Sequence, residues 1–206
     1  MNCKFLLKMK SLTNKECEAL LLIFKDFKTD YNANSISKKL NITPRGALKI
    51  LKKLYSENIL ASKQMGKAVF YKINTEDVYA TKLIEMLLIK QSREHAKKWI
   101  SEFEKIFKEI KMAVIYGSVL RNQKEAHDID LLLIIDKGKY KIVKKFIDEK
   151  NTVLTIPLHP LIMTLPDIKN NLHKQNPALI NAIKEGCVLY GYDIIVEVLK
   201  DVAGFK

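Results

Sequence analysis

The stretch Met112–Ile135, MAVIYGSVLRNQKEAHDIDLLLII, decides how the rest of the chain is read. Ala113–Tyr116 and Leu131–Ile135 are short apolar runs rich in Ile, Val and Leu, as expected of buried strands bounded by polar turn material. In a strand, residues i and i+2 share a face. Asp128 and Asp130 therefore project together, roughly 6–7 Å apart along the strand. Two carboxylates held this way repel unless a cation lies between them, and the hard-oxygen choice is Mg²⁺. Gly117-Ser118 ends the first run. A residue without a side chain lets backbone N–H groups approach an anion there, and the serine adds a hydroxyl. A phosphate cradle beside a two-carboxylate metal site is suited to moving a nucleotidyl or phosphoryl group.

Gly-Ser, nine further residues, then Asp-Ile-Asp opening an apolar strand resembles the signature of minimal nucleotidyltransferases in the DNA polymerase β superfamily. The resemblance implies that Gly117 and Ser118 hold a nucleoside triphosphate, and that Asp128 and Asp130 are the catalytic, metal-binding acids. The family usually has a third carboxylate on a later strand. The corresponding segment here, Thr152–Thr164 (TVLTIPLHPLIMT), contains no Asp or Glu. His159 lies within it and Asp167 follows, at the expected start of a helix. Loss of a general base costs about 10²–10⁴-fold in rate, so the domain is expected to be slow, substrate-assisted or silent.

The chain has 206 residues, 48% of them hydrophobic, enough for one large domain or two small ones. No run reaches the length of a membrane span, and Phe5-Leu6-Leu7 is too short for a signal-peptide core. Cys3, Cys17 and Cys187 show no metal-ligand spacing and read as reduced thiols of a cytoplasmic protein. The net charge of +13 is uneven. Residues 1–74 carry 15 Lys/Arg against 5 Asp/Glu, whereas residues 75–206 carry 21 against 18. A basic N-terminal third points to a polyanionic partner. With only three arginines in the chain, that attraction suits phosphates better than base edges.

Within that basic third, Thr13-Asn14-Lys15-Glu16 matches a capping box. Leu20, Ile23, Phe24 and Phe27 then predict a helix over 14–28. A short second helix carries Ile36 and Leu40 inward. Thr43-Pro44 starts a third, on which Leu48, Leu51 and Leu54 are expected to be buried. Strand-like runs Ala61–Gln64 and Ala68–Ile73 flank Met65-Gly66-Lys67, a hairpin turn. Residues 10–74 thus resemble a winged helix-turn-helix domain. By that likeness the helix from Pro44 enters the DNA major groove with Arg45, Lys49, Lys52 and Lys53, and the wing touches the backbone through Lys63 and Lys67. A module making only protein contacts is the alternative.

Residues 75–110 hold neither Gly nor Pro. Tyr79, Leu83, Leu87, Trp99, Ile100, Phe103, Ile106, Phe107 and Ile110 keep helical spacing, giving one helix of about 54 Å or two broken near Gln91-Ser92. Its apolar surface either pairs with a second copy, making a homodimer, or packs on its own chain. Lys141–Lys150 reads as a helix, Asn176-Pro177 opens another that Gly186 ends, and EGCVLYGYDIIVEVL resembles the closing segment of archaeal proteins that join the same two domains. The expected architecture is α+β. A winged helix-turn-helix DNA-binding domain (1–74) leads through a linker and dimerisation helix (75–110) to a polymerase-β-like nucleotidyltransferase α/β domain (111–206). Two functions follow. One is an enzyme passing a nucleotide monophosphate from Mg-NTP to an acceptor hydroxyl. Small relatives of that kind modify partner proteins, including the toxins of toxin–antitoxin pairs. The other is a transcription regulator whose silent transferase domain senses nucleotide or dimerises.

Overall fold

The computed structural model describes residues 12–122 and 125–205. Cys3 and Phe5-Leu6-Leu7 fall outside them. Thr13 caps the first helix, α1 (Asn14–Lys25): the Glu16 amide donates to Thr13 Oγ1 and the Thr13 amide donates to the Glu16 carboxylate at 2.8 Å. α1 stops short of residue 28 because Asp26 leaves the helix to accept hydrogen bonds from Tyr31 (2.7 Å) and Thr29 (3.0 Å). Helices α2 (Ala33–Leu40) and α3 (Pro44–Ser56, capped by Thr43) follow, then an antiparallel hairpin of β1 (Leu60–Met65) and β2 (Ala68–Ile73). Three helices and a hairpin around Leu20, Ile23, Ile36, Leu51 and Leu54 make the winged helix-turn-helix. One expected core position is wrong: Ala47, Leu51 and Leu54 line the buried face of α3, while Leu48 is 38% exposed. Strict three-residue spacing drifts about 60° per step around a 3.6-residue helix, so it cannot hold one face for long.

The linker is interrupted at Ala96, four residues beyond the expected break. There α4 (Val78–His95) gives way to α5 (Lys97–Phe103) and a 3₁₀ turn, Glu104–Glu109. The break is where the chain crosses between two cores. Ile84, Leu87 and Leu88 of α4 pack with the winged helix and one face of the C-terminal sheet. Ala96, Trp99, Phe103 and Ile106 pack on the opposite face. Residues 97–110 therefore form a layer of the C-terminal domain, and most of the linker's apolar stripe is covered by its own chain, Tyr79 being the exposed exception.

That sheet has the strand order β5-β4-β3-β6. Its strands are β3 (Met112–Tyr116), β4 (Ile129–Ile134), β5 (Leu158–Met163) and β6 (Cys187–Tyr190). β4 runs parallel to β5, reached through α7 (Tyr140–Asn151), and the other pairs are antiparallel. Alternation sorts the side chains: Met112, Val114, Leu132 and Ile134 face one core, Ala113, Ile115, Leu131 and Leu133 the other. A short helix, α6 (Ser118–Arg121), follows β3. Helices α8 (Leu165–His173), α9 (Pro177–Glu185) and α10 (Tyr192–Lys200) cover the first face together with α4. Gly186 links α9 to β6 where any Cβ would lie 2.2 Å from the Ala182 carbonyl oxygen and 2.7 Å from Val114. Among the described residues, no helix is long and apolar enough to cross a membrane.

The two halves are joined by polar contacts as well as a shared core. Lys184 of α9 meets Asp26 at 2.8 Å, Lys25 donates to the Gly186 carbonyl, and Ser92 hydrogen-bonds Tyr192 at 2.8 Å. Burial alone would raise the Asp26 carboxyl, but the hydrogen bonds from Lys184, Tyr31 and Thr29 outweigh it and hold the group below the usual carboxylate range. A depressed carboxyl stabilises the fold above its unfolded-state pKa, and that contribution is lost as pH falls through the folded value. Asp26→Asn is therefore expected to cost about 1–3 kcal/mol near neutrality. The difference from wild type should shrink on acidification below the ordinary carboxylate range, as read by denaturant melts across pH.

Candidate metal and phosphate site

The parallel pairing of β4 with β5 builds the site. Asp130, second residue of β4, lies in register with Tyr116 on β3 and with His159 on β5. Register partners on neighbouring strands present their side chains to the same face, so Asp130 and His159 stand side by side. Asp128 immediately precedes β4. His159 Nδ1 lies 3.1 Å from Asp128 Oδ2, and one ligand atom from each of Asp128, Asp130 and His159 falls within 4.8 Å of the others. Burial first, then repulsion from Asp128, pushes the Asp130 carboxyl above its ordinary range, while His159 opposes the rise. The Tyr116 phenol is raised by burial and then by the same two acids. Two mutually repelling carboxylates and an imidazole converging on one point fit a divalent cation, which would remove the repulsion.

Gly117 brings the end of β3 against this cluster. Its φ of 82° and ψ of −155° suit glycine alone, and a Cβ there would sit 2.1 Å from Asp130 Oδ2. Ser118 is the next residue, half-buried, opening α6. The glycine–serine corner and the acidic pair are thus in direct apposition. Asp167 is elsewhere: its carboxylate accepts from the Thr164 amide (3.0 Å) and hydroxyl (2.6 Å) and caps α8. His159 is the member whose role the sequence left open. Its pairing with Asp130 depends on a strand register across a helical crossover, which no local pattern reveals.

On the winged helix, Arg45, Lys49 and Lys52 are exposed along α3, where they line a shallow groove with Thr43, Gly46 and Leu48. Lys63 and Lys67 are exposed on the hairpin. Lys53 differs from them. Its ammonium reaches both oxygens of the buried Glu16 carboxylate at 2.8 and 2.9 Å, so it serves the α1–α3 junction and leaves the basic face. Glu16 is tied to the N-terminus of α1 and is 5% exposed, so it needs a cation of the protein's own.

Residues 97–195 match the family model described as polymerase beta, nucleotidyltransferase. No curated protein matches the chain. Among solved structures, the adhesin competence repressor AdcR of Streptococcus pyogenes aligns at 15% identity over 68% of this chain and 78% of its own, with a TM-score of 0.34. Wild-type ZitR of Lactococcus lactis, in a complex with DNA, aligns at 15% identity over 74% and 80%, with a TM-score of 0.31. Likenesses at those TM-scores carry no argument. The winged helix-turn-helix is recognised from its own three helices and hairpin.

Two substitutions at the site should move stability in opposite directions. Gly117→Ala combines backbone strain with a collision against Asp130, and is expected to cost about 1–3 kcal/mol and displace the carboxylate. Asp130→Asn removes a charge whose pKa is raised on folding. Such a group destabilises the metal-free protein above its folded pKa, and the penalty disappears as pH falls through that value. The metal-free Asp130→Asn protein should therefore melt higher than wild type at neutral pH, at about 2–4 °C per kcal/mol relieved. Both variants should lose the stabilisation that divalent cations give the wild type in thermal melts.

Proposed function

We propose that the chain is a DNA-binding protein whose C-terminal domain transfers a nucleotide monophosphate from an NTP to an acceptor hydroxyl with release of pyrophosphate, a partner protein being the acceptor. The observation that carries this reading is the convergence of Asp128, Asp130 and His159 beside Gly117, inside the segment that matches the nucleotidyltransferase model. Asp128 and Asp130 would hold a divalent cation, with His159 beside them. When bound, that ion neutralises polyphosphate charge and polarises the reacting phosphoryl group. Gly117 leaves room for backbone amides to meet phosphate oxygens, and the Ser118 hydroxyl donates a further hydrogen bond. Asp130, pinned between Tyr116 and His159, fixes where the phosphates lie relative to the acceptor, which supplies most of the advantage in this kind of transfer.

The second reading, a regulator with a silent transferase domain, is favoured by one observation: β5 carries His159 and no carboxylate. Both readings share the DNA-binding half. In it Arg45, Lys49 and Lys52 follow the backbone along α3, with Lys63 and Lys67 on the wing. A homodimer would present two α3 helices to successive half-sites, using the exposed Tyr79 and Met86 side of α4, since the opposite side is buried. NTPs and DNA are both cytoplasmic, and so is the proposed site of action.

Incubation with NTP labelled at the α-phosphate and a divalent cation should label the protein or a protein encoded beside it, and Asp128→Asn should abolish that label. A wild type that binds nucleotide but never transfers label supports the regulator. For DNA, affinity should fall steeply with salt. Lys49→Ala should reduce the log–log salt slope by about 1. Lys53→Ala should instead lower stability, through the uncompensated Glu16, and leave the salt slope unchanged.

A further inference from the structure

We propose that His159 makes this a site for a later first-row transition-metal dication, of the Co²⁺ or Zn²⁺ type, bound in preference to Mg²⁺. The inference rests on the reading of the cluster as a cation site and says which cation the chain's own residues select. Mg²⁺ takes oxygen ligands in near-ideal octahedral geometry and gives up its waters reluctantly. Imidazole nitrogen suits iron, nickel, copper and zinc, and affinity for mixed nitrogen–oxygen sites rises along the first row. The donor set here is two carboxylates and one imidazole.

The placement of the imidazole supports a ligand role. Its Nδ1 is the atom turned into the cluster, 3.1 Å from Asp128 Oδ2. Two ligands bonded to one zinc-like ion at about 2.0–2.2 Å, about 90–109° apart, stand about 2.8–3.6 Å from each other, and the observed 3.1 Å falls inside that range. Asp130, the in-register neighbour of His159, supplies a third ligand from the same face. The remaining ligand-atom separations are no greater than 4.8 Å, within reach of modest side-chain rotation. The His159 side chain is 62% exposed, so no core packing fixes the ring in another orientation. Asp128 is a polar partner of the ring, and a cation would replace that contact with a stronger one. Tyr116, the remaining titratable neighbour, stands on β3 across from Asp130 and offers a phenol, a poor ligand at neutral pH.

The test compares Zn²⁺, Co²⁺ and Mg²⁺ binding to the full chain by calorimetry, with visible absorption of bound Co²⁺ as a spectroscopic readout. Four variants are used: His159→Ala, His159→Asp, Asp128→Asn and Asp130→Asn. Removing a ligand should cost at least the roughly 10–100-fold lost when an outer-shell partner is removed. His159→Ala is therefore expected to weaken Zn²⁺ and Co²⁺ by that factor while leaving Mg²⁺ little changed. His159→Asp, which restores an all-oxygen set, should lower the Zn²⁺-to-Mg²⁺ affinity ratio by at least tenfold and alter the Co²⁺ spectrum. If the aspartate variants abolish binding but both His159 variants keep the wild-type ratio and spectrum, the imidazole is only an ion-pair partner of Asp128 and the inference falls. If cations bind equally well to the aspartate variants, the cluster is not their site and the underlying reading fails with it.

Discussion

Two carboxylates held at one end of a sheet that is buried on both faces set the terms for this molecule. Asp130 is half-buried. Tyr116 and His159 flank it in register, and the Gly117 backbone closes over its carboxylate. Asp128 adds like charge beside it, so the pair is less comfortable without a cation than either acid would be alone. Stored repulsion of this kind is tolerated where a ligand relieves it, which is why perturbed acids concentrate at working sites. The fold meets the cost with strands that are apolar on both sides. β3 and β4 contribute Met112, Ala113, Val114, Ile115 and Leu131–Ile134, every one of them buried.

Covering both faces of that sheet explains the linker. A single straight helix from residue 75 to 110 could serve only one face. Ending α4 at His95 and turning at Ala96 lets the same segment pack Leu88 against one core and Trp99 and Phe103 against the other. The winged helix then packs on the α4 side. Because Leu20, Ile23, Ile84, Val114 and Leu132 belong to one continuous core, the halves share an interior rather than a tether. The Asp26–Lys184 and Ser92–Tyr192 contacts fix the orientation that the apolar packing permits.

This arrangement bears on how the two halves could communicate. Asp130, Leu132 and Ile134 alternate onto the sheet face that also receives α4 and, beyond it, the winged helix. A ligand at the acidic end changes the balance of forces on β4, and Leu132, two residues beyond Asp130, lies in the shared core. Coupling would still require that the ligand bind two arrangements of the halves with different affinity.

What was legible in the sequence was whatever its local chemistry fixes. Thr13 and Glu16 cap α1, Thr43-Pro44 starts α3, and Gly117-Ser118 and Asp128-Ile129-Asp130 mark the ends of their strands. All of these depend on residues within four positions of one another. What local chemistry leaves open has the opposite property. Lys53 looks like its lysine neighbours in sequence, and only the fold brings it to Glu16, 37 positions away. Leu48 looked buried because a three-residue spacing mimics a helix face for two turns only. The linker broke at Ala96 because two cores, each assembled from distant segments, pull on it from opposite sides. His159 is the clearest case. A lone histidine in an apolar strand says nothing by itself, and only the parallel register of β5 on β4, set by the α7 crossover, brings it to Asp130. The residue that distinguishes this site from an all-carboxylate one is therefore the residue whose position the chain specifies least locally.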